Sequence, residues 1–483
     1  MSGTGKEWAR RPGAPVIEMS RATTTRRPFG ALCLGIALPL LALVGCAAPT
    51  TDAAPAGTAS SAPDAQPSAP PEPQEVAAAS PRLVLTHDGG IQVLDATTLE
   101  VVGEVELAGF NRLNGAGDGR HVLISTAGEF RALDTGTWAR AHGDHAHYYT
   151  AEPVLTSVAF DAEMPGHVVT HGGRTALFDD GTGEVTVFDS DAVVDGEREE
   201  RRLSTPEVHH GVALELGDGS LVLTEGDEER RTGIRVLDGE GQEIAASDEC
   251  PGVHGEAVAA GEAVVVGCED GVLVYRDGAV TKVDSPDPYG RIGNQAGSES
   301  SPIVLGDYKS DPDAELERPT RVSLIDTRTD DLRLVQLPAS YTFRSLGRGE
   351  DGEALVLGTD GALHVIDAET GDLVRSVPVI EPWEEPVEWQ EPRPTLHVLD
   401  GTAYVTDPAT DTLHAVDVHT GEIWNTTELT VTPNELTGVS GDVPALAGDP
   451  DDEHAHEDHA HEDHAHEDHA HDDHGHADHT DGR

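Results

Sequence analysis

A short strand-like unit of alternating apolar residues ending in aspartate recurs eight times in this chain, which leaves few folds open to it. It reads Ile91-Gln-Val-Leu-Asp95, Phe130-Arg-Ala-Leu-Asp134, Val185-Thr-Val-Phe-Asp189 and Ile234-Arg-Val-Leu-Asp238. It returns as Leu273-Val-Tyr-Arg-Asp277, Val322-Ser-Leu-Ile-Asp326, Leu363-His-Val-Ile-Asp367 and Leu413-His-Ala-Val-Asp417. Most copies run into a turn, as in Asp367-Ala-Glu-Thr-Gly371. Units of about 40–50 residues, each with a strand every 8–12 residues or so, describe a β-propeller with four strands per blade. Helical periodicity is nearly absent. The expected fold is therefore all-β, a propeller of eight blades, with seven as the alternative count. If the aspartate-ending strand is the third of each blade, the first blade lacks an inner strand. Asn434-Glu-Leu-Thr-Gly-Val-Ser440 supplies a candidate, a C-terminal strand completing the first blade and leaving no open edge.

The N-terminus indicates where such a fold works. Arg26-Arg27-Pro28-Phe29 precedes an apolar run over residues 31–44 and then Leu43-Val44-Gly45-Cys46. A basic stretch, a short apolar stretch and a small residue before the cut describe a signal peptide over residues 1–45, too short to span a membrane. The Leu-Val-Gly-Cys ending resembles a bacterial lipobox, which would make Cys46 the lipidated first mature residue. The arginine pair also looks like a twin-arginine export signal, and Met19 is an alternative start. Residues 46–80, rich in Ala, Pro, Ser and Thr, bury too little apolar surface to fold and read as a disordered tether. The propeller is expected over 81–446. The expected location is outside the cell, lipid-anchored on the outer side of the bacterial cytoplasmic membrane, as a monomer touching the membrane only through its lipid.

The net charge of −58 becomes −62 without residues 1–45, with 25 Lys and Arg against 87 Asp and Glu. That balance argues against nucleic acid and anionic membrane surfaces as partners and suits a cation. Of four cysteines, Cys33 leaves with the signal and Cys46 takes the lipid. Cys250 and Cys268 remain, at one end of one blade, and an oxidising exterior favours a disulfide between them.

Histidines point to the cation. Residues 447–483 form a tail in which Glu-Asp-His-Ala-His repeats, carrying His454, His456, His459, His461, His464, His466, His469, His471, His474, His476 and His479. Imidazole and carboxylate suit Zn²⁺ and its borderline neighbours. A merely solvated acidic tail would not require the His-x-His spacing. In the expected third, fourth and fifth blades the inner strands begin Pro165-Gly-His167, Glu207-Val-His209-His210 and Pro251-Gly-Val-His254-Gly-Glu256. Three blades in succession thus place a histidine at one mouth of the central channel, where three nitrogens and a fourth donor make a zinc-like tetrahedron. Glu256 is either that fourth ligand or an outer hydrogen-bond partner, and His87 falls at a turn on the same face. His142-Gly-Asp144-His145-Ala-His147 reads as a mobile capture loop, or as an exposed polar turn, with its face left open. His364, His397, His414 and His419 read as structural.

The stretches His142-Gly-Asp-His-Ala-His147, Pro165-Gly-His-Val-Val-Thr-His171-Gly-Gly, Val208-His-His-Gly-Val212 and Cys250-Pro-Gly-Val-His-Gly-Glu256 resemble the secreted zinc metallochaperones of the AztD type. Val266-Gly-Cys268 and Trp383 look similar too. The resemblance covers the whole expected propeller. It implies an extracytoplasmic zinc-binding β-propeller, with ligands among His142, His145, His147, His167, His209, His210 and His254, that passes Zn²⁺ to the solute-binding protein of a zinc ABC transporter. The His-rich tail and lipid anchor depart from that pattern and keep a surface zinc buffer in play. Ligating imidazoles must be neutral, so release is expected below about pH 6. Among rival classes, a metal-dependent propeller lactonase would show turnover at an open coordination position. An envelope scaffold with an incidental tail would bind partners without metal. No nucleophile elbow, Walker loop or paired catalytic carboxylates can be found by spacing, and an enzyme is not expected.

Overall fold

The computed structural model describes residues 72–143 and 145–443. The signal peptide, Cys46, most of the tether, Asp144 and the histidine tail fall outside the described residues. Apart from the 3-10 turn Ser190–Ala192, the regular elements are strands. Among the described residues there are eight successive antiparallel sheets, each with four strands in order, the fifth gaining the short parallel partner Gly290–Arg291. In all eight, the aspartate-ending repeat forms the third strand or ends just before its aspartate, from Gly90–Asp95 to Thr412–Asp417. The aspartates act beyond the strand. Asp95 accepts from the amides of Thr97 and Thr98, Asp238 from Glu240 and Gln242, Asp367 from Thr370 and Asp417 from Thr420. A carboxylate that accepts amides two to four residues ahead fixes a tight turn, so these aspartates mark where their strands reverse.

The first sheet runs Leu436–Val439, Arg82–His87, Gly90–Asp95, Val101–Glu106, with Leu85 opposite Leu436 and Arg82 opposite Val439. Its first strand comes from the end of the described chain, as the sequence anticipates. Second strands are buried on both faces (Ala263–Cys268 throughout), whereas first strands such as His254–Ala259 alternate and outer strands such as Val101–Glu106 are half exposed. That is why second strands read as near-continuous apolar runs. Each core cluster joins a sheet to the next: Phe178 and Val187 of the third meet Leu221 and Leu223 of the fourth, and Val236 of the fourth meets Val264 of the fifth. The series ends where Tyr404 and Leu413 of the eighth sheet pack on Leu85 and Leu94 of the first.

A ninth sheet replaces the loop expected at 142–147. Thr137–His142 and His145–Thr150 form a hairpin between the third and fourth strands of the second sheet, and Gln74–Val76 pairs along it. Three residues of the expected tether are therefore strand, because the hairpin edge offers them unpaired backbone groups. The hairpin leaves from the end of the third strand, the end at which inner strands finish.

Cys250 and Cys268 are disulfide-bonded across 18 residues of chain. Both are fully buried, and the bond ties the segment leading into His254–Ala259 to the end of Ala263–Cys268. Closing a loop of that size is worth about 3 kcal/mol by chain entropy. Replacing both cysteines by serine is expected to lower unfolding free energy by about that amount in urea titrations at equal slope.

Candidate metal centre

His167, His210 and His254 come together at the starting end of the inner strands of the third, fourth and fifth sheets, with one potential ligand atom from each within 4.8 Å of the others. Their ring centroids are 5.1, 5.8 and 5.1 Å apart. His210 Nδ1 donates to Asp180 Oδ2 at 2.5 Å, and His254 Nδ1 donates to the Gly293 carbonyl at 2.6 Å. Each bond fixes the tautomer and leaves the lone pair on Nε2. These two Nε2 atoms face each other at 3.2 Å. With no proton between them such lone pairs repel. A tetrahedral zinc with bonds of about 2.0 Å holds its ligand nitrogens about 3.3 Å apart, so the pair is already at ligand spacing and the residues fit the ion.

The surroundings keep His167 and His254 neutral. Burial pushes His167 well below the ordinary histidine value, aided by His210, His254, Arg112 and Arg231. Burial likewise pushes His254 down to about 3, against the Gly293 carbonyl, which favours the charged form. Glu256 Oε2 lies 3.6 Å from His167 Nδ1, too far for a hydrogen bond, and is buried without a partner. Burial pushes its carboxyl up to about 8. Glu256 stands outside the three-histidine group, in the position of an outer-shell partner to His167.

His209 does not join them. While His210 enters the mouth, its neighbour His209 turns into the sheet. It is 3% exposed, with Nδ1 3.1 Å from the Glu207 carbonyl and Nε2 3.1 Å from that of Thr224, edge-on to Phe178. Both ring nitrogens are engaged, which removes it from the expected ligand set. His87 sits in the first sheet's second turn with Nδ1 on the Asp88 carbonyl, outside both histidine groups among the described residues.

The second group is His142, His145 and His147, at the hairpin tip. His142 lies opposite His145 in register, and His147 is two residues further on the same face. Ring centroids are 5.1–5.4 Å apart, and His142 Nδ1 is 3.4 Å from His145 Nε2. Glu75 Oε1, on the added strand, takes His147 Nδ1 at 2.7 Å. The described C-terminus runs beside this hairpin: Gly441 packs on Thr137, and the nearby Asp442 carboxylate raises the Tyr148 phenol. Of the histidines read as structural, His364 bonds Ser376 and Asp360, and His414 lies between Thr412 and Thr426. His397 is buried and pushed down to about 4 by that burial. Arg375 reaches the carbonyl of His419.

Asp180, Gly293 and Glu75 are the contributors that spacing does not reveal. They sit 30, 39 and 72 residues from the histidines they hold.

No protein-family model matches the chain. It is 28% identical over 388 residues to the zinc chaperone AztD of Citrobacter koseri, covering 77% of this chain and 89% of that protein. The crystal structure of Citrobacter koseri AztD superposes with a TM-score of 0.65 at 25% identity, over 75% of this chain and 98% of that one. The apo AztD structure from the same organism gives 0.64 at 24% identity, over the same shares of the two chains, a likeness of fold.

Proposed function

We propose that this AztD-type chain is an extracytoplasmic zinc carrier that holds one Zn²⁺ between His167, His210 and His254 and passes it to the solute-binding protein of a zinc ABC transporter. It works as a carrier and catalyses no reaction. The facing Nε2 atoms of His210 and His254 carry this reading, because their tautomers and spacing suit a metal and little else. The similarity to a zinc chaperone supports zinc as the ion. We read the eight sheets as blades of a propeller. The cyclic order of the core clusters and the pairing of Leu436–Val439 with Arg82–His87 support that reading. The lipobox-like sequence supports an anchor at Cys46 outside the membrane. Among the described residues no helix is long and apolar enough to cross one.

The hairpin histidines and the tail form the collecting end. The residues leading into the tail lie against the hairpin, at the end of the inner strands opposite the three-histidine mouth. Many exchangeable sites there raise the local zinc concentration, and the mouth then holds one ion tightly. With no ATP outside the cell, transfer runs down an affinity gradient.

The test is competitive zinc titration of the mature protein, of a version ending at Val443, and of the triple variant His142→Ala, His145→Ala, His147→Ala. One tight site is expected in all three, with the weaker sites lost from the second and reduced in the third. If tight binding leaves with the tail, the reading fails. If tight binding stays but a zinc solute-binding protein takes nothing from the loaded chain, the protein is a surface zinc buffer.

A further inference from the structure

Beside the three-histidine mouth stand two arginines without partners. Arg231 opens the third strand of the fourth sheet, and Arg291 lies on the connection from the fifth sheet to the sixth. Both are half-buried, yet among the described residues neither guanidinium makes a hydrogen bond or lies within 4 Å of a carboxylate. Arg112, the third cation felt at His167, is 3.9 Å from Glu435 and so partly neutralised. Burial lowers the Arg231 guanidinium, Arg291 repels it, and Glu269 and Asp180 act against both, while Asp307 feels the charge of Arg291. The Arg291 guanidinium packs against Gly293, and the Gly293 carbonyl holds the His254 ring. The main chain of Arg231 accepts the Gly252 amide, two residues before His254.

Half-buried guanidinium groups normally find carboxylates, and this protein has 89 Asp and Glu to offer. Two left unpaired beside a prospective metal are therefore unusual. They raise the cost of placing a dication in the mouth, and they favour any anion that arrives with it. The three histidines leave a fourth tetrahedral position, and Glu256 stands outside the group. We propose that Arg231 and Arg291 form an anion subsite for a carboxylate supplied from outside the described fold, which enters as the fourth ligand of the metal held by His167, His210 and His254. This rests on the zinc-carrier reading and deepens it. An acceptor protein that presents a carboxylate here gains two charge-assisted partners at the moment it touches the ion, which makes the Arg pair a handle for transfer.

Cobalt(II) tests this, because its visible d–d spectrum reports ligand exchange at a tetrahedral site. The mature protein is loaded with one equivalent of Co²⁺ and titrated with acetate, alongside Arg231→Gln, Arg291→Gln and the version ending at Val443. We expect a saturable spectral change with acetate, weakened about tenfold or more in either Gln variant, as for loss of one charge-assisted bond. Cobalt itself is expected to bind the Gln variants no more weakly than the parent, since a repelling charge has gone. Arg231→Lys, which keeps the charge, is expected to restore part of the acetate response. A response seen only once residues 444–483 are removed identifies the tail's own carboxylates as the occupant, and supports the subsite. A cobalt spectrum that acetate leaves unchanged in both full and shortened chains, or an equal response with and without the arginines, overturns it. A folded parent that takes up no cobalt at the mouth overturns the carrier reading instead.

Discussion

His210→Ala is expected to weaken the tight zinc site by about a hundred- to a thousandfold, while His209→Ala, one residue away, leaves it intact in whatever protein remains folded. Apparent zinc binding energies of about 10–16 kcal/mol shared over four ligands give about 3–4 kcal/mol per ligand. His210 presents a free Nε2 to His254 at 3.2 Å, so its removal deletes one such share. His209 spends both nitrogens on carbonyls inside the sheet. Its loss leaves a cavity and, since a neutral ring donates only one N–H, one unsatisfied acceptor, a stability cost of about 2–4 kcal/mol. The two variants should thus separate cleanly, one in competitive zinc titration and the other in urea unfolding. Asp180→Asn lies between. It keeps the fold but loosens the hold on the His210 ring, for an expected loss of about 10–100-fold in zinc affinity. Equal zinc loss in His209→Ala and His210→Ala would mean that the mouth rearranges on loading and that these tautomer arguments do not describe the bound site.

The contrast between these neighbours shows how much a sequence can disclose. The aspartate repeat locates the third strand of all eight sheets because most of its aspartates accept amides of the following turn and so fix a reversal, and that is a local rule. The strand at 434–440 is legible because the first unit lacks one. Cys250 and Cys268 are legible from compartment and strand ends. His209 and His210 are both proposed from the sequence, and among the described residues only His210 reaches the three-histidine group, while His209 turns into the sheet. Asp180, Gly293 and Glu75 are another matter. They reach their histidines from turns or strands of other units, and no period relates them. Glu75 lies in a stretch whose composition promises no structure at all, and it becomes ordered only because the hairpin edge is free to pair. The unpaired state of Arg231 and Arg291 is likewise invisible in sequence, because what matters is which carboxylates fail to reach them.

Zinc affinity is expected to rise by about tenfold per pH unit from pH 5 to about 8, and Glu256→Gln is expected to flatten this slope. The sign follows from which groups hold protons in the metal-free fold. His254, held at about 3, and His167, also lowered by burial, are neutral throughout this range, so zinc displaces no proton from them. Two ordinary histidines titrating near 6.5 would together cost about a thousandfold in affinity at pH 5. Burial thus removes the share of the pH dependence that His167 and His254 would otherwise contribute. Glu256 behaves in the opposite sense. Its carboxyl, held at about 8, is protonated in the empty site across this range. Once zinc sits on His167, the Nδ1–H of that ring turns to the carboxylate 3.6 Å away, and the ion favours its charged form. One proton therefore leaves on binding, which calorimetry in buffers of different ionisation enthalpy reads directly. The stability of the empty protein follows the same groups. His254 and His167 are depressed in the fold, so the stability present above about 6.5 is lost as pH falls through the window towards 3, where only the unfolded chain gains their protons. Glu256 is raised in the fold, so its contribution is present below about 4.5 and is lost as pH rises to about 8. Glu256→Gln should accordingly stabilise the zinc-free protein at pH 8 and leave it nearly unchanged at pH 4. Only a slope above two between pH 5 and 6.5, more than Glu256 and His210 could account for together, would show that His167 and His254 take up protons in the empty site and that burial does not hold them neutral.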